Sequence, residues 1–387
     1  MGIFVYWQRG FIIPLTRGFM IPLTRGFMIP LTTPHFTIDE INEIHKVLKS
    51  GWVSQGKKCI EFENEICKIT GSQYAVAVSN CTAALFLSLK ALGIGQGDEV
   101  IVADFSFPAT GLAVVHTGAT PVFCDVDSST FNIEPLIINS LVTKRTKAII
   151  PVHTFGNPCD MRSIMTIASE YDLHVIEDAA CAFGSTFEGN SIGTFGDAGC
   201  FSFHARKGIT TGEGGAIVTD SYEIAKYVRE TSMFGVESTW TRKSIPSFKN
   251  IGYNFKMSDI TAAIGVAQIK KMNRMIKQKQ YLAKIYNGMF SNSDIFIPQF
   301  ESPAGMHTYQ SYVGVVENRD EIIEHLTKKG IECGIGTYAQ STEPVFKAPH
   351  TCTNSERLHR KTLSLPMYYL LQEEDIIKIA NGVLECH

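Results

Sequence analysis

The segment FSFHARKGITTGEGGAIVTD, Phe201 to Asp220, sets a single lysine, Lys207, between an aromatic, hydroxyl-bearing stretch and a run of glycines. A lysine in a half-buried, glycine-flanked turn loses hydration, so either its stem snorkels the amine out to water or the protein uses the amine. Use as an imine-forming nucleophile needs the neutral form, and an unperturbed amine of pKa about 10.4 is neutral in only about one part in a thousand at pH 7. Burial near Arg206 and the charges of a bound cofactor are expected to change that balance. On this segment alone both uses stay open.

Other polar residues fall where apolar runs end. Asp178 closes HVIEDA and either caps the next turn or faces a proton on a pyridine nitrogen. At about 3 Å and an effective dielectric near 20, that attraction is about 5 kcal/mol before desolvation. Thr82 and Ala83, in SNCTAAL, open a helix whose N–H groups and dipole either serve ordinary N-capping or cradle a phosphate. Ser202 lies five residues before Lys207 and has a hydroxyl to offer the same phosphate. Phe107, in FSFPAT, is a core aromatic by default and a stacking platform for a flat ring otherwise. Polar strand ends converging on one crevice suggest a bound cofactor.

The elements that must hold these residues alternate. Apolar runs at 74–79, 99–104, 120–126, 147–153, 174–179 and 214–220 read as buried strands, and 82–93, 163–171 and 257–272 as helices. This implies an α/β domain around a mostly parallel sheet, with ligands at the carboxyl ends of the strands. From about residue 275 a long polar helix, a strand-like QSYVGVV and two more helices suggest a smaller α+β C-terminal domain. Near the N-terminus, TIDEINEIHKVLKSG predicts a helix with a Thr37/Glu40 capping box, an apolar stripe of Ile38, Ile41, Ile44 and Leu48, and Gly51 as its stop. GIGQGDEV at 93–100 reads as a turn, because its glycines precede a strand instead of following one.

Composition narrows the function classes. Lys plus Arg number 35 against 38 Asp plus Glu, and no basic block is present to neutralise a run of phosphates, so nucleic acid is not an expected partner. The ten cysteines have neither C-x-x-C pairs nor zinc-ligand spacing, which argues for reduced thiols in the cytoplasm and no metal. RGFIIPLT at 9–16 recurs as RGFMIPLT at 17–24 and 25–32. Arg and Pro in each unit exclude a signal peptide and a membrane span. Residues 1–27 then read as a duplicated leader without a fold of its own, or as an apolar arm for a partner subunit.

The ordered blocks GSQYAVAVSNCTAALFLSLKALGIGQGDEVIVADFSFPAT, GATPVFCDVD, HTFGNPCDM, VIEDAACAFGS, GTFGDAGCFSFHARKGITTGEGGAIVTD and GYNFKMSDITAAIGVAQ resemble the DegT/StrS (DegT/DnrJ/EryC/StrS) sugar aminotransferases from about Met28 to the end. The resemblance implies a pyridoxal-phosphate-dependent transferase of fold type I. Its large α/β domain would span 28–274 with a mostly parallel seven-stranded sheet flanked by helices, and a small α+β domain 275–387. Lys207 would be the cofactor-linked lysine and proton shuttle, Asp178 the partner of the pyridine nitrogen, and Thr82, Ala83 and Ser202 phosphate ligands. Phe107 would pack on the ring, and Asn254 would reach the phosphate of the neighbouring subunit in a homodimer. The reaction implied is ping-pong transfer of nitrogen from glutamate to a keto group of a nucleotide-linked deoxysugar. A pyridoxamine-dependent dehydratase of the same fold and a non-catalytic regulatory homologue are the alternatives; Lys207, which such dehydratases replace by His, argues against the first.

The chain also departs from the family pattern. Cys81 replaces a Gly and is expected to tighten the phosphate turn. Cys181 stands where Gln or His contacts the cofactor's phenolic oxygen, so that hydrogen bond is expected to be weak or missing. Lys256 replaces an Arg, and TYAQSTEPVF at 337–346 lacks the usual His.

Overall fold

The computed structural model describes residues 28–237, 245–350 and 352–386; the repeats expected to form a leader lie outside them. Seven strands build the central sheet: β1 (Tyr74–Val78), β2 (Glu99–Ala103), β3 (Thr120–Cys124), β4 (Thr146–Ile150), β5 (His174–Asp178), β6 (Ala198–Ser202) and β7 (Gly215–Thr219). Their order is β1-β7-β6-β5-β4-β2-β3, and β7 alone runs against its neighbours. Six of these match apolar runs read from the sequence. β6 does not, because AGCFS has no β-branched residue and no alternation to mark it.

Helices cover both faces, which is why the strands are continuously apolar. In chain order they are α1 (Ile38–Ser50), α2 (Lys57–Thr70), α3 (Cys81–Ala91), α4 (Ala109–Thr117), α5 (Pro135–Leu141), α6 (Met161–Tyr171), α7 (Tyr222–Ser232), α8 (Asp259–Ile269) and α9 (Met272–Phe290). Phe62 and Ile66 of α2, Ile164 of α6 and Val266 of α8 fill one core with Ala77, Ile101 and Ile149 from the sheet. Leu85 and Leu89 of α3, Val114 of α4 and Val228 of α7 fill the other with Val76, Val102 and Ile150. The turn read at 93–100 joins α3 to β2, with Gly93 and Gly97 at positive φ.

A second, antiparallel sheet contains β8 (Ile297–Pro298), β9 (Tyr312–Val315), β10 (Gly334–Ile335) and β11 (Thr362–Leu365) in the order β8-β9-β11-β10. The division expected at 274/275 falls inside α9. Met272, Met275 and Ile276 of that helix pack in the first core, and Leu282, Tyr286 and Phe290 in the core of the second sheet. One helix therefore joins the two bodies.

The capping box of α1 forms as predicted: the Thr37 N–H donates to Glu40 Oε2 at 2.6 Å, and Gly51 ends the helix at φ 72°. Its apolar stripe, however, faces outward. Ile38, Ile41 and Leu48 are exposed, whereas Glu40, Glu43 and Val47 are buried. Glu40 is neutralised by Lys271 and accepts from Gln268 Nε2 at 2.8 Å; Glu43 pairs with Lys46 and Lys58, both at 2.7 Å. The sequence showed a helix with one apolar face but not which face the fold would cover.

Candidate active site

Asp178 is the last residue of β5, Ser202 the last of β6, and Lys207 follows on the loop into β7. Asp178 is 5% exposed. The Thr110 hydroxyl, from the first turn of α4, donates to its Oδ2 at 2.7 Å, and the Ala180 N–H to its Oδ1 at 3.1 Å. Burial pushes the carboxyl above the usual aspartate range, against those two bonds and the nearby Lys207 charge.

A buried pair next to it fixes the end of β5. The His153 Nδ1 accepts from the Cys159 N–H at 3.0 Å, so its Nε2 bears the proton and donates to Glu177 Oε2 at 3.1 Å. Glu177 also accepts from the N–H groups of Gly193, Phe195 and Gly196 at 2.7, 2.7 and 3.0 Å. The His153 N–H in turn donates to the Asp178 carbonyl at 3.1 Å. Thr110, His153 and Glu177 are positioning residues that the sequence reading missed; the only local signal was a second acid, Glu177, inside a buried strand.

The N-terminus of α3 is seated over Gly215, whose cross-strand partners are Val78 and Ser202. A Cβ on Gly215 would lie 2.4 Å from the Asn80 carbonyl carbon and 2.6 Å from the Cys81 nitrogen, so only glycine admits this approach. Asn80 caps the helix by accepting the Ala83 N–H at 2.8 Å. The Ala83 N–H thus has a protein acceptor, whereas the N–H groups of Cys81 and Thr82 precede the first intrahelical bond and are open to a phosphate. Ser202 accepts from the His204 N–H at 3.4 Å and keeps its own O–H to donate. Cys81 has helical backbone, so replacing Gly there introduces no left-handed strain.

The Lys207 amine donates to Cys181 Sγ at 3.1 Å. Burial acts to lower its pKa, but the Cys181 sulfur and Asp178 carboxylate outweigh it and hold the amine above the usual lysine range. The anticipated help from Arg206 is absent because that residue is exposed. Phe107 is 65% exposed, so the core reading fails; its ring meets Tyr338 edge-on at 6.0 Å. Tyr338 belongs to the 337–346 segment, which pairs antiparallel with Phe105 and Ser106. Buried Gln340 ties that segment down, donating to Ser106 Oγ at 2.7 Å and accepting from the Gly111 N–H at 3.0 Å. The segment has no histidine of its own, but the His359 ring stacks on Tyr338 at 5.7 Å. Asn254 lies apart from the cavity at Lys207: it is exposed, accepts from Lys256 Nζ, and sits on the edge beside β1, where Val78 bridges Lys256.

The model of the DegT/DnrJ/EryC1/StrS aminotransferase family matches residues 34–384. The chain belongs to that family. It is 38% identical over 364 residues to the spore coat polysaccharide biosynthesis protein SpsC of Bacillus subtilis, covering 89% of this chain and 93% of that one. It is 37% identical over 360 residues to the GDP-perosamine synthase of Escherichia coli O157:H7, covering 91% and 96%. Spr1654 of Streptococcus pneumoniae in its PLP form superposes with a TM-score of 0.86 at 26% identity, over 92% of this chain and 98% of that one. The chain is therefore a DegT-family aminotransferase of fold type I, dependent on pyridoxal 5′-phosphate. Its own residues fit that cofactor. Asp178 is a desolvated carboxylate suited to a protonated ring nitrogen, Cys81, Thr82 and Ser202 offer donors for a phosphate, and Lys207 stands at a cavity. Among the described residues no helix is long and apolar enough to cross a membrane.

Proposed function

We propose that this aminotransferase moves nitrogen from glutamate to a keto group of a nucleotide-linked sugar, in the synthesis of amino sugars for surface polysaccharide or glycoconjugate. The observation that carries the reading is Lys207 at a cavity, on the loop that follows β6, beside the neighbouring strand β5 that ends in buried Asp178. The names of the relatives, a GDP-perosamine synthase and a spore coat polysaccharide biosynthesis protein, support the substrate class. When bound, pyridoxal phosphate supplies the electron sink that lets an amino group leave one carbon and join another. Asp178 holds the proton on the ring nitrogen, and the Thr110 hydroxyl opposes the upward push of burial on that carboxyl. Cys81, Thr82 and Ser202 orient the phosphate, and Phe107 covers the ring. Lys207 moves the proton in each half-reaction, with Cys181 as its resting partner.

The working unit is a homodimer in this reading. The exposed Ile38, Ile41 and Leu48 of α1 continue into exposed Trp52 and Val53, an apolar surface suited to a second copy. Asn254 then completes the partner's phosphate site. All ten cysteines are free thiols, in keeping with a reducing cytoplasm. The test mixes enzyme, pyridoxal phosphate and glutamate with a panel of nucleotide-linked keto sugars and follows product masses. An aminated nucleotide sugar with matching release of 2-oxoglutarate is the expected result; 2-oxoglutarate formed only up to one equivalent of bound cofactor, with every keto sugar unchanged, would overturn the acceptor class.

A further inference from the structure

Lys279 lies on the buried stripe of α9, between Met275 and Ile276 on one side and Leu282 and Ala283 on the other, and is 4% exposed. An ammonium at a core-facing position is costly unless something accepts from it. Among the described residues nothing does: its Nζ takes part in no hydrogen bond or ion pair with the protein. Two adjoining cavities meet at Lys279, Lys207, Gly208 and Gln310. Neither wall contains an Asp or Glu. Gly208 adjoins the amine: a Cβ there would meet Lys279 Nζ at 3.5 Å, an ordinary van der Waals contact.

The titratable groups around this cavity supply no balancing carboxylate. Lys207 and Cys181 line it from the strand ends, and His35, Tyr368 and Tyr369 from the other side. His307 is fully buried; burial and then Lys279 push it down to about 3, so it is neutral. The cavity thus presents two amines and no protein acid, an arrangement that selects an anion.

We propose that Lys279 anchors a carboxylate of the amino donor, an α-amino dicarboxylic acid, in the cavity it shares with Lys207. This rests on the aminotransferase reading of that cavity. Burial lowers the Lys279 amine to about 8, so its charge, and with it the anchor, is present at neutral pH and lost as pH rises through that value.

Glutarate, a dicarboxylate with no amino group to transfer, is the probe, titrated calorimetrically into pyridoxal-phosphate-loaded enzyme. Lys279→Met is expected to weaken glutarate by about tenfold or more while cofactor retention and melting temperature hold. Lys279→Arg is expected to keep the affinity and to lose the fall that wild type shows between pH 7 and pH 9. Wild type and Lys279→Arg share Lys207, Cys181 and the tyrosines, so the difference between their pH profiles isolates Lys279. Glutarate affinity unchanged in Lys279→Met, no glutarate binding by wild type, or loss of cofactor in place of glutarate would each overturn the proposal, the last assigning the amine to the cofactor's phosphate. Formation of 2-oxoglutarate from glutamate by wild type is measured in parallel. Its absence sinks the reading of glutamate as amino donor, whereas its presence beside an unaffected Lys279→Met sinks only the anchor.

Discussion

Thr110 shows how one hydroxyl decides what a buried carboxyl can do. Its bond to Asp178 opposes the upward push of burial, so Thr110→Val raises the aspartate further and leaves it protonated at higher pH. Cofactor retention should then fail at higher pH on the acid side, since the lost hydrogen bond favoured the charged form. Cofactor absorbance after gel filtration at stepped pH checks this, and an unmoved acid limb would refute it. Lys207→Ala should still hold the cofactor through Asp178 and the phosphate donors but lose turnover. Lys207→Arg should fail likewise, because a guanidinium does not form the imine. Borohydride reduction followed by mass measurement should find covalent cofactor on wild type and on neither variant. Lys207 and Asp178 could be singled out from the sequence because strand ends and glycine runs are local patterns, and the structure sets them at or just past the ends of neighbouring strands. Thr110 could not, because it meets Asp178 from 68 residues away. The cap on Ala83 was not foreseen: Asn80, three residues earlier, competes for the same N–H.

Elements position the site through backbone contacts that side-chain patterns do not reveal. Gly215→Ala must push a Cβ into the Asn80 backbone, where no flexible side-chain end can yield. A loss of about 1–3 kcal/mol and weaker cofactor binding are expected, read by thermal melts and cofactor titration. Gly288→Ala, on an exposed position of α9 with nothing within 4 Å, is the control and should stabilise by about 0.5–1 kcal/mol. Asp104 makes a second element-scale case. It joins the end of β2 to the 337–346 segment by accepting the Ser341 N–H at 2.5 Å and the Ser341 hydroxyl at 2.9 Å. Burial raises its pKa to about 6, so the folded state holds this proton more tightly than the unfolded chain. The stability this contributes is fully present below about pH 4 and lost as pH rises through 6, a difference of about 3 kcal/mol. Denaturant melts at pH 4 and pH 7 should show that component in wild type and a flatter response in Asp104→Asn. The parallel sheet itself was readable because strands buried on both faces are continuously apolar. The outward turn of α1 was not, since apolar spacing is the same whether a helix faces its own core or a second chain.

At the scale of the whole molecule, that outward stripe and the placement of Asn254 bear on the same assembly. Asn254 is exposed on the edge beside β1, away from the cavity at its own chain's Lys207. If it serves the partner's phosphate, Asn254→Ala should weaken cofactor retention in the homodimer; if it is a plain turn residue, the loss is about 1 kcal/mol of local stability and nothing else. Mixing Asn254→Ala with Lys207→Ala separates the two by symmetry. In a heterodimer built with shared sites, one site receives intact Lys207 from the first chain and intact Asn254 from the second, while the other site bears both lesions. Such a heterodimer should regain up to half the activity of a wild-type dimer. Were both residues to serve the same chain's site, every site in the mixture would bear a lesion, and activity would stay at the level of the separate variants. Pull-down with two different tags must first show that subunits exchange. With exchange demonstrated, restored turnover in the doubly tagged fraction establishes the cross-subunit amide, and its absence returns Asn254 to its own chain.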